Sequence, residues 1–350
     1  MNFKIVTFFS FLLANCINAQ EPIHIFYFVG DAGNDTVLNK TLLNLQVELE
    51  KNDNSTVVFL GDNIYPDGLE KGVVSKKKLK TQLDVLKNYK GNVFFTPGNH
   101  DWKAGKWNGL KSIRLQSKFV EDYLNTTSIK NKEGINFCPN PGMPGPYSES
   151  FFGIRILAMD LQWWFQKQIF HPTGEAETRK ATKQFFFNTL DSLLRIANEQ
   201  REQVILFAHH PLFSNGHHGK KKQPIRFLIN YTPLQLFGLL GLNRTLSQDI
   251  YNPKYKRLRK RMLSIIEKYN NCLYVSGHDH NLQYLKVNNN HYIVSGSGSK
   301  LSKLHEGEHT LLYGNDKERG FFKLEIYENN KRVLIPYLEN KGKQESILLN

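Results

Sequence analysis

Cysteine is scarce in this chain, with three residues among 350. Cys16 falls in an N-terminal leader, so Cys138 and Cys272 can form at most one bond, and a disulfide-built scaffold is excluded. Long apolar runs are also missing. The run Ile5–Ala14 is too short to cross a bilayer, and no later stretch is more apolar. Internal repeats and low-complexity blocks are absent. Acidic residues are few beside the basic ones, 32 Asp+Glu against 46 Lys+Arg, for a net charge of +14. That excess suits an anionic partner, whether a nucleic acid, an anionic surface or a phosphorylated substrate. What is present, 40% hydrophobic residues, is enough to build a proper buried core and rules out disorder.

Residues 1–20 read as a cleaved secretory signal peptide. Lys4 is its one charge, Ile5–Ala14 its apolar core, and Asn18-Ala19-Gln20 its small-residue end. The expected location is therefore secreted or periplasmic. Asn15 before Cys16 fits a lipid-anchor pattern poorly. In residues 21–350, short β-type runs alternate with helical patterns. The runs are Ile23–Val29, Thr56–Leu60, Asn92–Thr96, Ile154–Met159, Val204–Ala208, Leu273–Ser276 and His291–Ser295. Thr36–Lys51, Lys76–Tyr89 and Arg179–Gln200 suit amphipathic helices. Gly134–Tyr147, rich in Gly, Pro and Asn, reads as a long surface loop. The order implies an α/β fold with its ligands beyond the C-terminal strand ends.

Five clusters sit at such ends. They are Gly30-Asp31-Ala32-Gly33, Gly61-Asp62-Asn63-Ile64-Tyr65, Gly98-Asn99-His100-Asp101, His209-His210-Pro211 and Gly277-His278-Asp279-His280. Singly, each has a plain structural explanation: Asp31 a turn residue, Tyr65 packing, His209 a satisfied core histidine. Five in order, each after a strand, point to one site. The last cluster is the strongest alone, because alternate residues of an extended segment put two imidazoles on one face. Carboxylate, phenolate, amide and imidazole donors together suit iron, manganese or zinc.

With these motifs the chain resembles the calcineurin-like metallophosphoesterases. Within them it is most similar to the purple acid phosphatases, especially the small tartrate-resistant type, and in Asp160-Leu161-Gln162-Trp163-Trp164 to a bacterial exported branch. The family pattern is Asp, Gly-Asp-x-x-Tyr, Gly-Asn-His-Asp/Glu, His before x-Pro, and Gly-His-x-His, and every block is matched. The resemblance implies a four-layer α/β/β/α sandwich formed as a single domain over residues 21–350. Where ordinary members carry Asp-x-His, this chain has Gly33, and Tyr65 stands three residues after Asp62. The resemblance then implies that the tyrosine phenolate replaces the missing imidazole and favours a trivalent ion. Asp31, Asp62, Tyr65 and His280 would hold Fe(III) at site one. Asn99, His209 and His278 would complete site two, holding Fe(II), Zn or Mn, with Asp62 bridging.

The implied chemistry is hydrolysis of a phosphomonoester on a small phosphorylated substrate, a metal-bound hydroxide attacking in line. His100 and the pair His217/His218 are the candidates for protonating the leaving group, and family spacing favours His218. Asp101 is expected to orient His100 and tune its basicity, Asp279 to point away, and His210 to back the site or pack. Gly296-Ser297-Gly298-Ser299 is read either as pocket floor or as a plain turn. The alternatives are a phosphodiesterase acting on nucleotides or phospholipid head groups, or a non-catalytic anion- or membrane-binding protein. The latter calls for a missing donor, and none is missing. No specific nucleic-acid reader motif occurs, and no feature specifies an oligomer.

The charge itself is concentrated. Ser214–Met262 holds eleven Lys and Arg against the single acidic residue Asp249, so ten of the fourteen net charges fall in this basic and apolar insertion, residues 214–262. Tyr255–Tyr269 is expected as a helix packing Tyr255, Leu258, Met262, Ile265, Ile266 and Tyr269 on the core with a solvated basic side. Phe227–Leu242 is expected either as a lid or, beside Lys220-Lys221-Lys222, as a peripheral membrane contact.

Overall fold

The structure, a computed structural model, describes residues 21–70, 72–127, 129, 131, 134–166, 175–219, 250 and 252–349. The leader with Cys16, the lysine run Lys220-Lys221-Lys222 and Phe227–Leu242 lie outside the described residues.

Along the first half run β1 (His24–Val29), α1 (Lys40–Leu49), β2 (Ser55–Phe59), α2 (Val73–Asp84), β3 (Asn92–Phe95), α3 (Gly109–Leu124), β4 (Tyr147–Phe151) and β5 (Ile154–Met159). Then come α4 (Glu175–Glu199), β6 (Gln203–Ala208), α5 (Pro253–Ile266), β7 (Leu273–Ser276), β8 (Leu282–Val287) and β9 (Asn290–Ser295). The chain closes with β10 (Tyr313–Asn315), β11 (Gly320–Ile326), β12 (Arg332–Leu338), β13 (Gly342–Lys343) and β14 (Ile347–Leu349).

The strands form two sheets. One has the order β13-β12-β11-β1-β2-β3, with β14 also on β12; the other runs β10-β8-β9-β7-β6-β5-β4. In the first, β1, β2 and β3 are parallel and β11 joins β1 antiparallel. In the second, β5, β6, β7 and β9 are parallel. Period-two alternation sorts β1 between two cores. Phe26 and Phe28 face inward with Val58, Phe94, Phe207, Val275 and Ile293 of both sheets, while Ile25, Tyr27 and Val29 face outward onto Leu42, Leu45, Leu79 and Val120 of α1, α2 and α3. The outer face of the second sheet packs Leu157, Leu206 and Tyr274 on Phe186 and Leu190 of α4 and Leu258 and Met262 of α5. Strands buried on both faces read as continuous apolar runs, which is how the parallel strands betrayed themselves in the sequence. The four layers are helix, sheet, sheet, helix.

Two sequence expectations change. Gly134–Tyr147 is not a surface loop along its length. Its Phe137 bridges Phe95 in parallel, and Asn136, Phe137 and Cys138 are buried. The segment covers the otherwise open edge of β3, and burying apolar side chains there removes a free strand edge. Cys138 and Cys272 are both free; the first lies between the sheets and the second in the outer layer under α5, so they cannot meet. The helix expected at Tyr255–Tyr269 begins slightly earlier, at Pro253. Pro at its first turn and Asn252 accepting from the Lys254 N–H start it. Tyr255, Leu258, Met262, Ile265 and Ile266 of its expected face are buried, but the helix ends at Ile266, and Tyr269 lies beyond it, half-buried.

Two buried histidines outside the site make the fold acid-sensitive. Burial pushes the His24 imidazole down to about 4, against a smaller upward pull from Asn54. It pushes His291 to about 3, helped by Arg332 and Lys286. Both folded values lie below the ordinary 6.5. Below pH 6.5 the unfolded chain therefore binds more protons than the folded one. Their share of stability is complete above that pH and falls as acid is added, by about 1.4 kcal/mol per pH unit for each ring. The melting temperature is expected to drop between pH 6.5 and 4, and the His24→Gln/His291→Gln variant to drop less steeply. Parallel slopes would refute the assignment.

Candidate metal centre

All five clusters leave strand ends that face one another. The Gly30 N–H after β1 donates to Ser295 O at the end of β9 (2.7 Å), and Ser295 Oγ donates to Phe28 O (2.6 Å), so the parallel strands of both sheets are tied where they stop. Asp31, Asp62 and His278 all take left-handed backbone, with φ of 60°, 52° and 73°. That region disfavours residues with a Cβ, and such strain persists where surrounding bonds over-determine it. Here the Asp31 N–H donates to Gly61 O (2.9 Å) and the His278 N–H to Asp31 Oδ2 (2.8 Å).

The donor atoms form two triangles. Tyr65 Oη donates to Asp31 Oδ1 at 2.7 Å and lies 3.1 Å from His280 Nε2, which is 3.4 Å from Asp31 Oδ1. In the second triangle Asn99 Oδ1 is 2.9 Å from His209 Nε2 and 3.0 Å from His278 Nδ1, and those two nitrogens are 3.1 Å apart. Asp62 stands between them. Its Oδ1 is 3.4 Å from His209 Nε2, and its charge also acts on the Tyr65 phenol. Asp31, Asp62 and His209 offer ligand atoms within 4.8 Å of one another. The structure thus brings together all seven expected donors.

His209 Nδ1 is 2.8 Å from Leu60 O and donates there, which turns Nε2 toward the acceptor Asn99 Oδ1, where a proton or, in its place, a metal ion would sit. Acceptors converging on a point fit a cation. His278 puts Nδ1 into this triangle, and its Nε2 is buried without a hydrogen-bond partner.

Electrostatics agree with that donor set. Burial works to raise the Asp62 carboxyl, but His209 and His100 beside it prevail and hold it far below the usual carboxylate range. Burial pulls His209 down while Asp62 pulls it up, and the carboxylate prevails. Burial, then His218 and His210, hold the His278 imidazole neutral. Burial, followed by the Asp31 and Asp62 charges, pushes the Tyr65 phenol far up, so only a strong cation could deprotonate it.

Gly33 has no room for any side chain. A Cβ there would sit 2.2 Å from the Asn63 carbonyl carbon. The loop that brings Tyr65 inward occupies the space. Gly98 is constrained likewise, since a Cβ would lie 2.2 Å from Asp62 Oδ1.

His218, half-buried, stacks on His278 at 4.1 Å between ring centroids, and the exposed His217 meets its edge at 5.2 Å. Asp279 does point away from the donors, but it works: Oδ1 accepts from the His218 N–H (3.0 Å) and Oδ2 from Ser214 Oγ (2.5 Å). Asp101 is a correction. Its oxygens accept from the backbone N–H groups of Gly98 (2.7 Å), Asn63 (3.2 Å) and Ile64 (3.1 Å), so it braces two loops and does not orient the His100 ring. Pro66 O does that, accepting from His100 Nδ1 at 2.5 Å. Both rings of the pair His209/His210 are buried, but His210 packs against His278 (4.6 Å) with neither nitrogen bonded. In Gly296–Ser299, Ser299 Oγ bonds Asp31 O and a Cβ on Gly296 would meet Asp31 Oδ2 at 2.9 Å, so this turn backs the donor Asp31.

Three contributors escaped the sequence reading. The carbonyls of Leu60 and Pro66 carry no side-chain signature. Lys300, whose Nζ lies 3.9 Å over the Tyr65 ring, is signalled only as the first charge after the Gly-Ser turn.

This geometry has relatives. Human tartrate-resistant acid phosphatase type 5 is 36% identical over 95 residues, covering 25% of this chain and 29% of that protein. The mouse manganese-dependent ADP-ribose/CDP-alcohol diphosphatase is 26% identical over 179 residues, 45% of this chain and 52% of that one. The chain thus spans about half or less of the length of these curated relatives. A dimetal phosphatase from Danio rerio shares the fold with a TM-score of 0.53 at 14% identity, covering 94% of this chain and 99% of that one. The family model described as calcineurin-like phosphoesterase matches residues 23–282, a span that begins at β1 and closes on the Gly-His-x-His cluster, and the chain belongs to that family.

Proposed function

We propose that this chain is a metal-dependent phosphomonoesterase of the purple acid phosphatase type. The observation that carries the reading is the placement of Tyr65 Oη against Asp31 and His280, on a loop that leaves Gly33 no side chain. In this reading Asp31, Asp62, Tyr65 and His280 would hold Fe(III), and Asn99, His209 and His278 would hold Fe(II), Zn or Mn, with Asp62 available to both. When bound, the metal pair supplies Lewis-acid clamping of the phosphate and an acidified water for in-line attack. The chain's own residues do the rest. Leu60 O fixes the His209 tautomer so that Nε2 faces the site. His218, held over His278 by Asp279, donates a proton to the leaving oxygen. His100, with Nδ1 committed to Pro66 O, presents Nε2 on the Asp62 side and steadies the attacking water. We also propose export through residues 1–20; a chain retained inside the cell with Met1 intact would overturn it.

The experiment is metal analysis with a visible spectrum on protein isolated under oxidising conditions, followed by a phosphoester panel. Iron with a phenolate band is expected, and Tyr65→Phe should abolish the band. A colourless, iron-free protein would defeat the trivalent-iron assignment. His218→Ala should lower kcat by about 10²-fold with both metals retained; unchanged kinetics would remove His218 from the reaction. The likeness to a diphosphatase favours a second reading, cleavage of nucleotide-type diesters or anhydrides. Faster turnover of these than of monoesters would establish it.

A further inference from the structure

A groove of about 550 Å³ opens on the outer helix layer, between α4, α5 and the 3₁₀ turn Leu161–Phe165. Five cations line it: Arg179 and Lys183 from α4, and Lys254, Arg257 and Arg261 from α5. Trp164, Phe165 and Phe187 supply its apolar wall. Among the described residues no carboxylate lines it and none forms an ion pair with Lys183, Lys254, Arg257 or Arg261. Elsewhere on the same two faces the opposite holds: Lys268 pairs with Asp191 of α4 at 2.9 Å, and Arg259 of α5 reaches Glu308.

A solvated basic face would spread its charges outward. These converge from two helices on a concavity, at an electrostatic cost. Burial, then Arg179, Lys254 and Arg257, draw the Lys183 ammonium below its usual value. The start of α5 adds to the cost. Lys254 stands in the first turn, where the helix dipole is already positive and no acidic residue offsets it. Some of the groove's cations are also held in place. Arg261 stacks over Phe187 at 4.2 Å and donates to Gln184 Oε1 at 2.9 Å; Arg179 is fixed by the carbonyls of Trp163, Trp164 and Gln166. Paired guanidinium forks with flanking ammonium groups match phosphate oxygens better than a single carboxylate.

We propose that this groove is a second anion site, separate from the metal centre, that binds a soluble ligand carrying at least two phosphate groups. The site needs nothing from the phosphatase reading. Pyrophosphate titrated calorimetrically into the Asp62→Ala variant, whose metal centre is disabled, should bind at one site per chain. Adding Arg257→Glu and Arg261→Glu should weaken that binding at least about tenfold. Because charge reversal could disturb packing, Arg257→Gln alone, with an unchanged melting temperature, should give a smaller loss in the same direction. Equal affinity in all of these variants would overturn the proposal. So would binding to vesicles of anionic phospholipid with no binding of free pyrophosphate. A protein that hydrolyses no phosphoester yet shows the groove-dependent binding would leave this site standing and reject the phosphatase reading alone.

Discussion

Asp62→Ala is expected to strip both metals together and to lower kcat/KM by at least about 10³-fold. The expectation rests on position. Asp62 stands between the two triangles, reaching His209 Nε2 at 3.4 Å and loading the Tyr65 phenol with its charge. Its Oδ1 also accepts from the His100 N–H at 2.8 Å, so the His100 segment is hung from it. Without the carboxylate, His209 loses the charge that raises its pKa, and the remaining anionic donors reduce to Asp31 and Tyr65. Asp62→Asn separates the causes, because it preserves shape and the acceptor for His100 while removing charge. If charge is what counts, Asn should behave nearly as badly as Ala by metal analysis, with an unchanged circular dichroism spectrum. Retention of two metals in either variant would show that Asp62 is not shared.

Much of this was legible in the sequence for one physical reason. Parallel strands buried on both faces leave uninterrupted apolar runs, and ligands gather where those runs stop; Val57–Leu60 ahead of Gly61-Asp62 is the plainest case. The later antiparallel strands hide themselves. In β11, Lys323 and Glu325 alternate with the apolar residues, yet Lys323 is buried and paired with Glu325 at 3.0 Å, so a charge that reads as solvent lies inside. In β12, Pro336 reads as a breaker, but its carbonyl still accepts from the Gln344 N–H at 2.9 Å. Helix α3 was missed because its buried stripe is mixed. Ser112 and Gln116 are inside with Ile113, Val120 and Leu124, while Leu115 is outside. Side-chain types told where donors collect; they could not tell that Asp101 faces backbone and not His100, since the N–H groups it takes from Asn63 and Ile64 belong to another loop and carry no side-chain signature.

The Asp101 brace carries a large share of stability. Asp101 is buried, and four hydrogen bonds end on its carboxyl: from the N–H groups of Gly98, Asn63 and Ile64, and from Asn63 Nδ2 at 3.3 Å. Together they lock the loop after β2, which carries Asp62 and Tyr65, to the loop after β3, which carries Asn99. Burial and the Asp62 charge push this carboxyl up to about 7, against the Gly98 and Asn63 N–H groups, so only its donors make the position tolerable. Asp101→Ala strands those donors away from water, at about 1–3 kcal/mol for each one left unpaired. A loss of at least about 3 kcal/mol is expected, read as a lower melting temperature and denaturant midpoint, with weakened metal retention because Asp62 and Asn99 fall out of register. Asp101→Asn should lie between, since its amide NH₂ must face at least one backbone N–H. A brace predicts that stability and metal content fall together while His100 keeps its Pro66 contact. Normal stability with a shifted pH profile for kcat would instead mean that Asp101 acts through His100 after all.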